Sequence, residues 1–402
     1  MIHDTPLIAT IAVSLTFAFI GGIVANHFRL PPLVGYIIAG IAVGPFTPGF
    51  VADVHLAPQL AEIGVIFLMF GVGLHFSVRE LWEVRYIALP GALVQVLFAT
   101  LLGVGVALAW GWSFGASLVL GLALSVASTV VLLRALETHE LTNTINGKIA
   151  IGWLIVEDLL MVLVLVVLPS IAEILGGQSS ETYVTNSSNI IANLGLTLGK
   201  VILFVLFMLL GGTRFFPWLL RQVEKTGIRE LFTLAVVALG IGVAFGSAKL
   251  FGVSFALGAF FAGVVINESD LSNRAVTDTQ SLQDAFAVLF FVSVGMLFDP
   301  SILIKQPLQI LVVLLIIIFG KSLAAFIIVR VFRFSSSTAV VISGALAQIG
   351  EFSFILAGLG VSLKLLSVEG QNLILAGALL SITLNPLIFG FANRINAKHA
   401  AA

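Results

Sequence analysis

Gly121-Leu122-Ala123-Leu124-Ser125-Val126-Ala127-Ser128-Thr129-Val130 lies inside one long apolar run, and Gly344-Ala345-Leu346-Ala347-Gln348-Ile349-Gly350-Glu351-Phe352-Ser353 lies inside another. The two stretches stand 223 residues apart. Both carry small and polar residues where a membrane-spanning helix should be most apolar. Irregular backbone is tolerated in a bilayer only where it is buried in protein or lines a cavity. Two such segments at matching positions predict two helices that break at mid-depth and cross at their breaks. Their free carbonyls and half-helix ends would then form part of an ion site. Small residues packing one continuous helix against another would explain either stretch alone; the matched positions favour the broken pair.

The match extends outward. At a shift of about 223, Thr10-Ile11-Ala12-Val13 falls on Thr233-Leu234-Ala235-Val236, and Gly35, Ala39 and Gly40 fall on Gly258, Ala262 and Gly263. At a shift of 222, Leu60, Glu62, Val72, Gly73 and Phe76 fall on Leu282, Asp284, Val294, Gly295 and Phe298. Gly121 falls on Gly344 and Gly147 on Gly370. Gly and Ala are abundant here, so the order of the matches carries the argument rather than any single one.

Composition sets the class. The chain is 59% hydrophobic and 10% charged, against about 25% charge in ordinary soluble domains. A net charge of −1 leaves no basic face for nucleic acid. The absence of Cys excludes disulfides and thiolate chemistry. A spanning helix needs about 20 mainly apolar residues. Thirteen apolar runs qualify, near 6–26, 31–46, 58–75, 86–110, 113–134, 147–174, 190–213, 230–249, 252–267, 281–298, 303–332, 336–361 and 370–393. The expectation is an all-α polytopic membrane protein of about 13 transmembrane helices. The first run lacks a basic flank and a small-residue cleavage motif, so it is read as a retained helix rather than a signal peptide.

Thirteen spans divide the Lys and Arg residues outside them fourteen to three between the two sides, with Arg29, Arg85, Arg134, Lys148 and Arg274 among the fourteen and Lys249, Lys305 and Lys364 the three. Positive residues collect on the cytoplasmic side. The N-terminus is therefore expected outside and the C-terminus in the cytoplasm. The repeat shift covers seven spans, an odd number, so the two halves are inverted: repeat one over 6–174, a linker helix over 190–228, and repeat two over 229–393. Inverted repeats are a signature of secondary transporters.

Charges at membrane depth cost about 2.5–3.5 kcal/mol each on insertion scales. The deep ones are Glu157, Asp158, Lys321 and Glu351; Glu62 and Asp284 are repeat mates nearer the span ends. Adjacent helical residues point about 100° apart, so Glu157 and Asp158 should meet different surroundings. Lys321, the one deep basic residue of the second repeat, is paired with Glu157. That leaves Asp158, whose charged form burial disfavours, to hold either a proton or a metal cation. Such competition is the physical core of cation:proton exchange. Glu351 is placed to offset half-helix N-terminal charge at the crossing. A purely structural charge cluster is the duller alternative, and burying three charges for packing alone is costly. Lys200 is read as snorkelling or packing at an interface, His75 as a packing or interfacial residue, and Gln178-Ser179-Ser180-Glu181 and Asn186-Ser187-Ser188 as parts of an exposed outer loop.

The chain resembles the membrane domain of the monovalent cation:proton antiporter-2 family, in its Kef-type and YbaL-like potassium:proton branch. Carriers of the resemblance are Leu30-Pro31-Pro32-Leu33-Val34-Gly35-Tyr36, Glu62-Ile63-Gly64-Val65-Ile66-Phe67-Leu68-Met69-Phe70, Ser125-Val126-Ala127-Ser128-Thr129, Glu157-Asp158, Lys321 and Gln348-Ile349-Gly350-Glu351-Phe352-Ser353. The resemblance implies a thirteen-helix sodium/proton-antiporter-like fold with core and dimerisation domains, elevator-like alternating access, and a homodimer in the bacterial inner membrane. It implies that Asp158 is the essential cation- and proton-binding carboxylate, with Ser128 and Thr129 the polar residues of the crossing. Position 157, often Gln in Kef proteins, is Glu here, which bears on charge stoichiometry. Chains of this type usually continue into a cytoplasmic nucleotide-binding domain. This one stops at Ala402 with no strand–GxGxxG–helix unit, so either the sequence is truncated, with a nucleotide-binding domain or subunit outside this chain, or this form lacks that regulation.

The expected function is exchange of K+ for H+ with no cofactor in the chain, no enzymatic chemistry, and membrane lipid as its surroundings. A Na+/H+ antiporter on the same scaffold, a gated K+ channel-like system and a solute symporter or membrane sensor are the rivals.

Overall fold

The computed structural model describes residues 6–48, 53, 56–76, 78–142, 144–178 and 190–400, with the side chains at 78–80, 190–194, 197–198 and 396–400 outside the description. The acceptor-like Asn186-Ser187-Ser188 and most of the outer loop before it lie outside the described residues. Described residues form no strand. In chain order the spans are α1 Pro6–His27, α2 Pro32–Val43, α3 Ala57–His75, α4 Val78–Ala109, the broken α5 with halves α5a Phe114–Ser125 and α5b Thr129–Thr138, and α6 Ile145–Ile171. Next comes α7, Ile190–Phe207, which continues through a π turn at Met208–Gly212 into Thr213–Glu224. The second half contains α8 Arg229–Gly246 with a π turn at Ser247–Phe251, α9 Phe255–Asn267, and α10 Ser272–Met296. A single turn at Ile302–Lys305 precedes α11, Pro307–Leu315, which runs through a π turn at Ile316–Gly320 into Lys321–Val331. The broken α12 has halves α12a Ser336–Ala345 and α12b Glu351–Ser362, and α13 is Val368–Ala400.

These are the thirteen expected runs, with four ends moved by seven residues or more, one of them the C-terminal end of α13, at Ala400 rather than near 393. α4 starts at Val78 rather than near 86, α7 runs on to Glu224, and α10 starts at Ser272 rather than near 281. The turns added to α4 and α10 are largely polar and those added to α7 amphipathic, with Phe215, Phe216 and Trp218 beside Arg214 and Arg221; hydropathy marks only the part of a helix that lies in hydrocarbon. Large apolar side chains face outward along the spans, Phe19 at 67% and Leu387 at 72% exposure among them, as a lipid-facing surface requires.

The helices sort into two groups. α1, α2, α3, α8, α9 and α10 pack together, with α2 against α10 and α3 against both α9 and α10. α4, α5, α6, α11, α12 and α13 form the other group, with α4 against α5a and α6, and α11 and α13 against α12a. Shifting α2 and α3 by one repeat gives α9 and α10, so the α2–α10 and α9–α3 contacts are one packing arrangement made twice. Glycine makes both. A Cβ at Gly40 would lie 2.8 Å from the Gly295 Cα, and a Cβ at Gly263 would lie 2.9 Å from the Gly73 carbonyl carbon. Gly40 and Gly263 are mates, as are Gly73 and Gly295. Between membrane helices the attraction comes from close backbone approach rather than from expulsion of water, so small residues recur at equivalent crossings.

Candidate ion-binding site

Two residue types break α5. Val126 ends α5a in extended backbone (φ −103°, ψ 133°), and Ser128 starts α5b as its N-cap, its hydroxyl accepting from Val131 N–H at 3.3 Å. In α12 the break ends at Gly350, also extended, which precedes α12b. The two breaks cross. A Cβ on Gly350 would fall 2.8 Å from the Ser128 backbone nitrogen, so only glycine fits there. α5b and α12b both begin at the crossing, and their positive N-terminal ends converge.

Side chains replace the hydrogen bonds that the broken backbone lacks. Gln348 clamps Ser128 from both sides: its Oε1 accepts from Ser128 N–H at 2.9 Å and its Nε2 donates to the Ser128 carbonyl at 3.1 Å. Ser128 Oγ donates to Glu351 Oε2 at 2.8 Å. The Glu351 carboxylate also interacts with the backbone N–H groups of Thr129 and of Glu351 itself, at the start of both half-helices. Ser353 Oγ donates to the Ala123 carbonyl at 2.6 Å. Lys321 Nζ donates to the Gln348 carbonyl at 2.7 Å.

α6 brings the paired carboxylates to this crossing. Glu157, fully buried, accepts from Ala127 N–H through Oε2 at 2.8 Å. Asp158, 4% exposed, accepts from Thr129 Oγ1 through Oδ2 at 3.2 Å. The expected divergence of the two is therefore observed: Glu157 faces the α5 break and Asp158 the start of α5b. Glu157 and Lys321 attract through space, while the ammonium's hydrogen bond goes to Gln348. Asp158 lies in the negative field of Glu351 and Glu157. Among the described residues, Asp158 Oδ1 is buried without a hydrogen-bond partner.

A cavity of about 1100 Å³ reaches the site, lined at its inner end by Asp158, Thr129 and Glu351. Towards its mouth lie Tyr36, Asp284 and Arg134, with the Lys148–Glu83 ion pair (3.0 Å). Lys148 and Arg134 belong to the cation-rich end of the molecule. The rest of the lining is mainly apolar, including Phe67, Phe260 and Phe291.

Of the six residues expected at the site, Asp158, Thr129 and Glu351 meet at the cavity. Ser128, Glu157 and Lys321 lie behind them in the crossing. Ser128 is hydrogen-bonded to Glu351, Val131 and Gln348 within the crossing. Sequence reasoning missed Gln95, whose amide donates to the Ser125 carbonyl at 2.9 Å and accepts from Trp153 Nε1 at 3.2 Å. This ties the end of α5a to α6 beside the carboxylates. Its signal in the sequence was an amide inside an apolar run, without a repeat mate to draw the eye.

Residues 15–393 match the family described as sodium/hydrogen exchanger, transmembrane. YbaL of Escherichia coli (strain K12), which carries the name of a cation/proton antiporter, is 59% identical over 398 residues, covering 99% of this chain and 70% of YbaL. K(+) efflux antiporter 4 of Arabidopsis thaliana is 35% identical over 390 residues, covering 96% of this chain and 64% of the plant protein. Among solved structures, the sodium proton antiporter MjNhaP1 of Methanocaldococcus jannaschii superposes with a TM-score of 0.67 at 16% identity, over 97% of this chain and 98% of that one.

Proposed function

The chain belongs to the sodium/hydrogen exchanger transmembrane family, and from that premise we propose that it exchanges a monovalent cation, K+, for H+ by alternating access, with Asp158 as the carrier. The observation that carries this reading is the state of Asp158: one oxygen held by Thr129, the other buried without a partner, at the closed end of a cavity. A carboxylate so placed takes up a proton or a dehydrated cation in turn. Thr129 and carbonyls of the broken α5 segment supply the remaining oxygen ligands for the cation.

Charge balance supports the assignment. Each half-helix N-terminus carries roughly +0.5 elementary charge, so the two that meet at the crossing offset one carboxylate, Glu351. Lys321 offsets Glu157. Among the described residues Asp158 alone of these carboxylates has no fixed countercharge, and its cargo supplies one. A bare charge crossing the low-dielectric middle of the membrane is costly, so the moving unit crosses with Asp158 either protonated or cation-bound. One proton then exchanges for one cation, electroneutrally.

The moving unit is the group of α4–α6 and α11–α13, which holds all four deep charges. The group of α1–α3 and α8–α10, with α7 beside it, is the scaffold and the homodimer contact. The repeats span 6–174 and 229–393, with 190–228 between them. The protein is multi-pass, and we place it in the bacterial inner membrane with the N-terminus outside and the C-terminus cytoplasmic, as the charge bias favours. A cytoplasmic nucleotide-binding domain or subunit would act on this membrane unit from the cation-rich side.

The test is proton movement in proteoliposomes with an acid interior and K+ or Na+ added outside. K+-driven proton efflux that Asp158→Asn abolishes, in folded protein, supports the assignment. A response to Na+ alone changes the ion. Exchange that survives Asp158→Asn overturns the carrier.

A further inference from the structure

The cavity holds a charged residue with no part in the crossing. Asp284 projects from α10, exposed, into a lining that is otherwise mostly apolar. It lies within electrostatic reach of Tyr36 on α2, as does Arg134 on α5b. The other charged groups of the mouth are Glu83 and Lys148, which pair with each other at 3.0 Å. Arg134 Nη2 donates to Asn26 Oδ1 at 3.2 Å. Asp284 is thus the negative group on the scaffold side of the route from the mouth to Asp158. A fixed charge between low-dielectric walls focuses field and raises the local concentration of counter-ions.

The repeat adds a second observation. Asp284 has a mate at a shift of 222, Glu62 on α3. The neighbouring cavity positions Ala287, Val288 and Phe291 map onto Val65, Ile66 and Met69. The glycine contacts described above show that α3 and α10 are related in space as well as in sequence. α3 presents its C-terminal half to this cavity, from Phe67 to Phe76, and Glu62 is not among the described lining residues. Glu62 is nonetheless exposed, near the opposite end of α3. An exposed carboxylate on a helix inside hydrocarbon is expensive and calls for an aqueous partner surface in some state of the protein.

We propose that Asp284 and Glu62 are paired vestibule carboxylates, each drawing hydrated monovalent cations towards Asp158 from one side of the membrane. Asp284 serves the cavity that is open here. Glu62 serves the vestibule that forms when the moving unit shifts and the two repeats exchange roles. The proposal rests on the alternating-access reading and adds to it the residues that select charge at each mouth.

The chain contains no Cys, so Asp284→Cys and Glu62→Cys can be labelled directly with a charged, membrane-impermeant thiol reagent in right-side-out and inside-out vesicles. Asp284→Cys should react from the cation-rich face and Glu62→Cys from the opposite face. Reaction of both from one face, or no reaction of Glu62→Cys from either, overturns the proposal whether or not the protein exchanges ions. Opposite-face labelling of a protein that exchanges nothing keeps the paired vestibules and overturns the exchange reading instead. In oriented proteoliposomes at low ionic strength, Asp284→Asn should raise the cation KM about threefold or more on its own face only, and Glu62→Gln on the other. Both effects should shrink as salt screens them, and Asp284→Glu should restore the KM. Equal KM shifts on both faces, or a fall in maximal rate alone, would mark these residues as structural.

Discussion

Ser128 Oγ donates to Glu351 Oε2 at 2.8 Å, and these two residues stand 223 positions apart, the same shift that relates the two halves of the chain. A residue can touch its own repeat mate only on the axis that relates the repeats. The hydrogen bond therefore marks that axis, and Asp158 lies beside it. The mates differ in chemistry, hydroxyl against carboxylate, so the pair is a donor and an acceptor rather than two like groups.

Removing the donor should be felt at the crossing. Ser128→Ala leaves a buried Glu351 oxygen short of one hydrogen bond, a penalty of about 1–3 kcal/mol. The expected outcome is a lower unfolding temperature in detergent together with slower exchange. Unchanged stability would place the energy of the crossing in the Gln348 clamp instead.

Gly350→Ala sets a methyl group against the Ser128 backbone. Overpacking of this kind costs about 1–3 kcal/mol, and here the obstruction is backbone, which has no rotamer to change. Thermal unfolding should show the loss, and Gly390→Ala, where nothing lies within 4 Å of the added carbon, is the control.

Lys321 and Glu157 should behave as a pair. Lys321→Met leaves Glu157 buried without its cation, at about 3–5 kcal/mol. The double variant Lys321→Met with Glu157→Leu should recover much of that stability, because removing both charges also removes their desolvation. Additive losses in a double-mutant cycle would show that the two do not interact.

Thr129→Val keeps the shape of the side chain and deletes the hydroxyl that Asp158 Oδ2 accepts from. A loss of about 1 kcal/mol corresponds to roughly fivefold weaker apparent cation affinity. Transport KM measured against K+ concentration checks it, and an unchanged value would remove Thr129 from the cation shell.

Competition at Asp158 has a definite sign. On the proposed assignment, a proton bound at Asp158 excludes the cation, so apparent cation KM should rise as pH falls, approaching about tenfold per pH unit once Asp158 is mostly protonated. At high pH the KM should level off. A KM independent of pH across the active range would mean that proton and cation use different groups.

Hydropathy, counted span by span, determined the thirteen helices, because the bilayer demands an apolar run of every crossing element. The spread of Lys and Arg over the loops pointed to an orientation, and the ordered matches near a shift of 223 pointed to inversion. Glu157, Asp158, Lys321 and Glu351 stood out because charge at membrane depth demands a reason. All of these signals are local or periodic and survive without knowing which helices touch. The partners were a different matter. That Lys321 donates to the Gln348 carbonyl, that Gln348 clamps both backbone groups of Ser128, and that Gln95 ties Trp153 to Ser125 follow from atoms 27 to 220 residues apart meeting within 3.2 Å. A hydrogen bond depends on a few tenths of an ångström and on direction. Spacing along a helix conveys neither, so only the packed tertiary structure decided that Ser128 bonds to Gln348 and Glu351 and that, among the described residues, Asp158 Oδ1 has no hydrogen-bond partner.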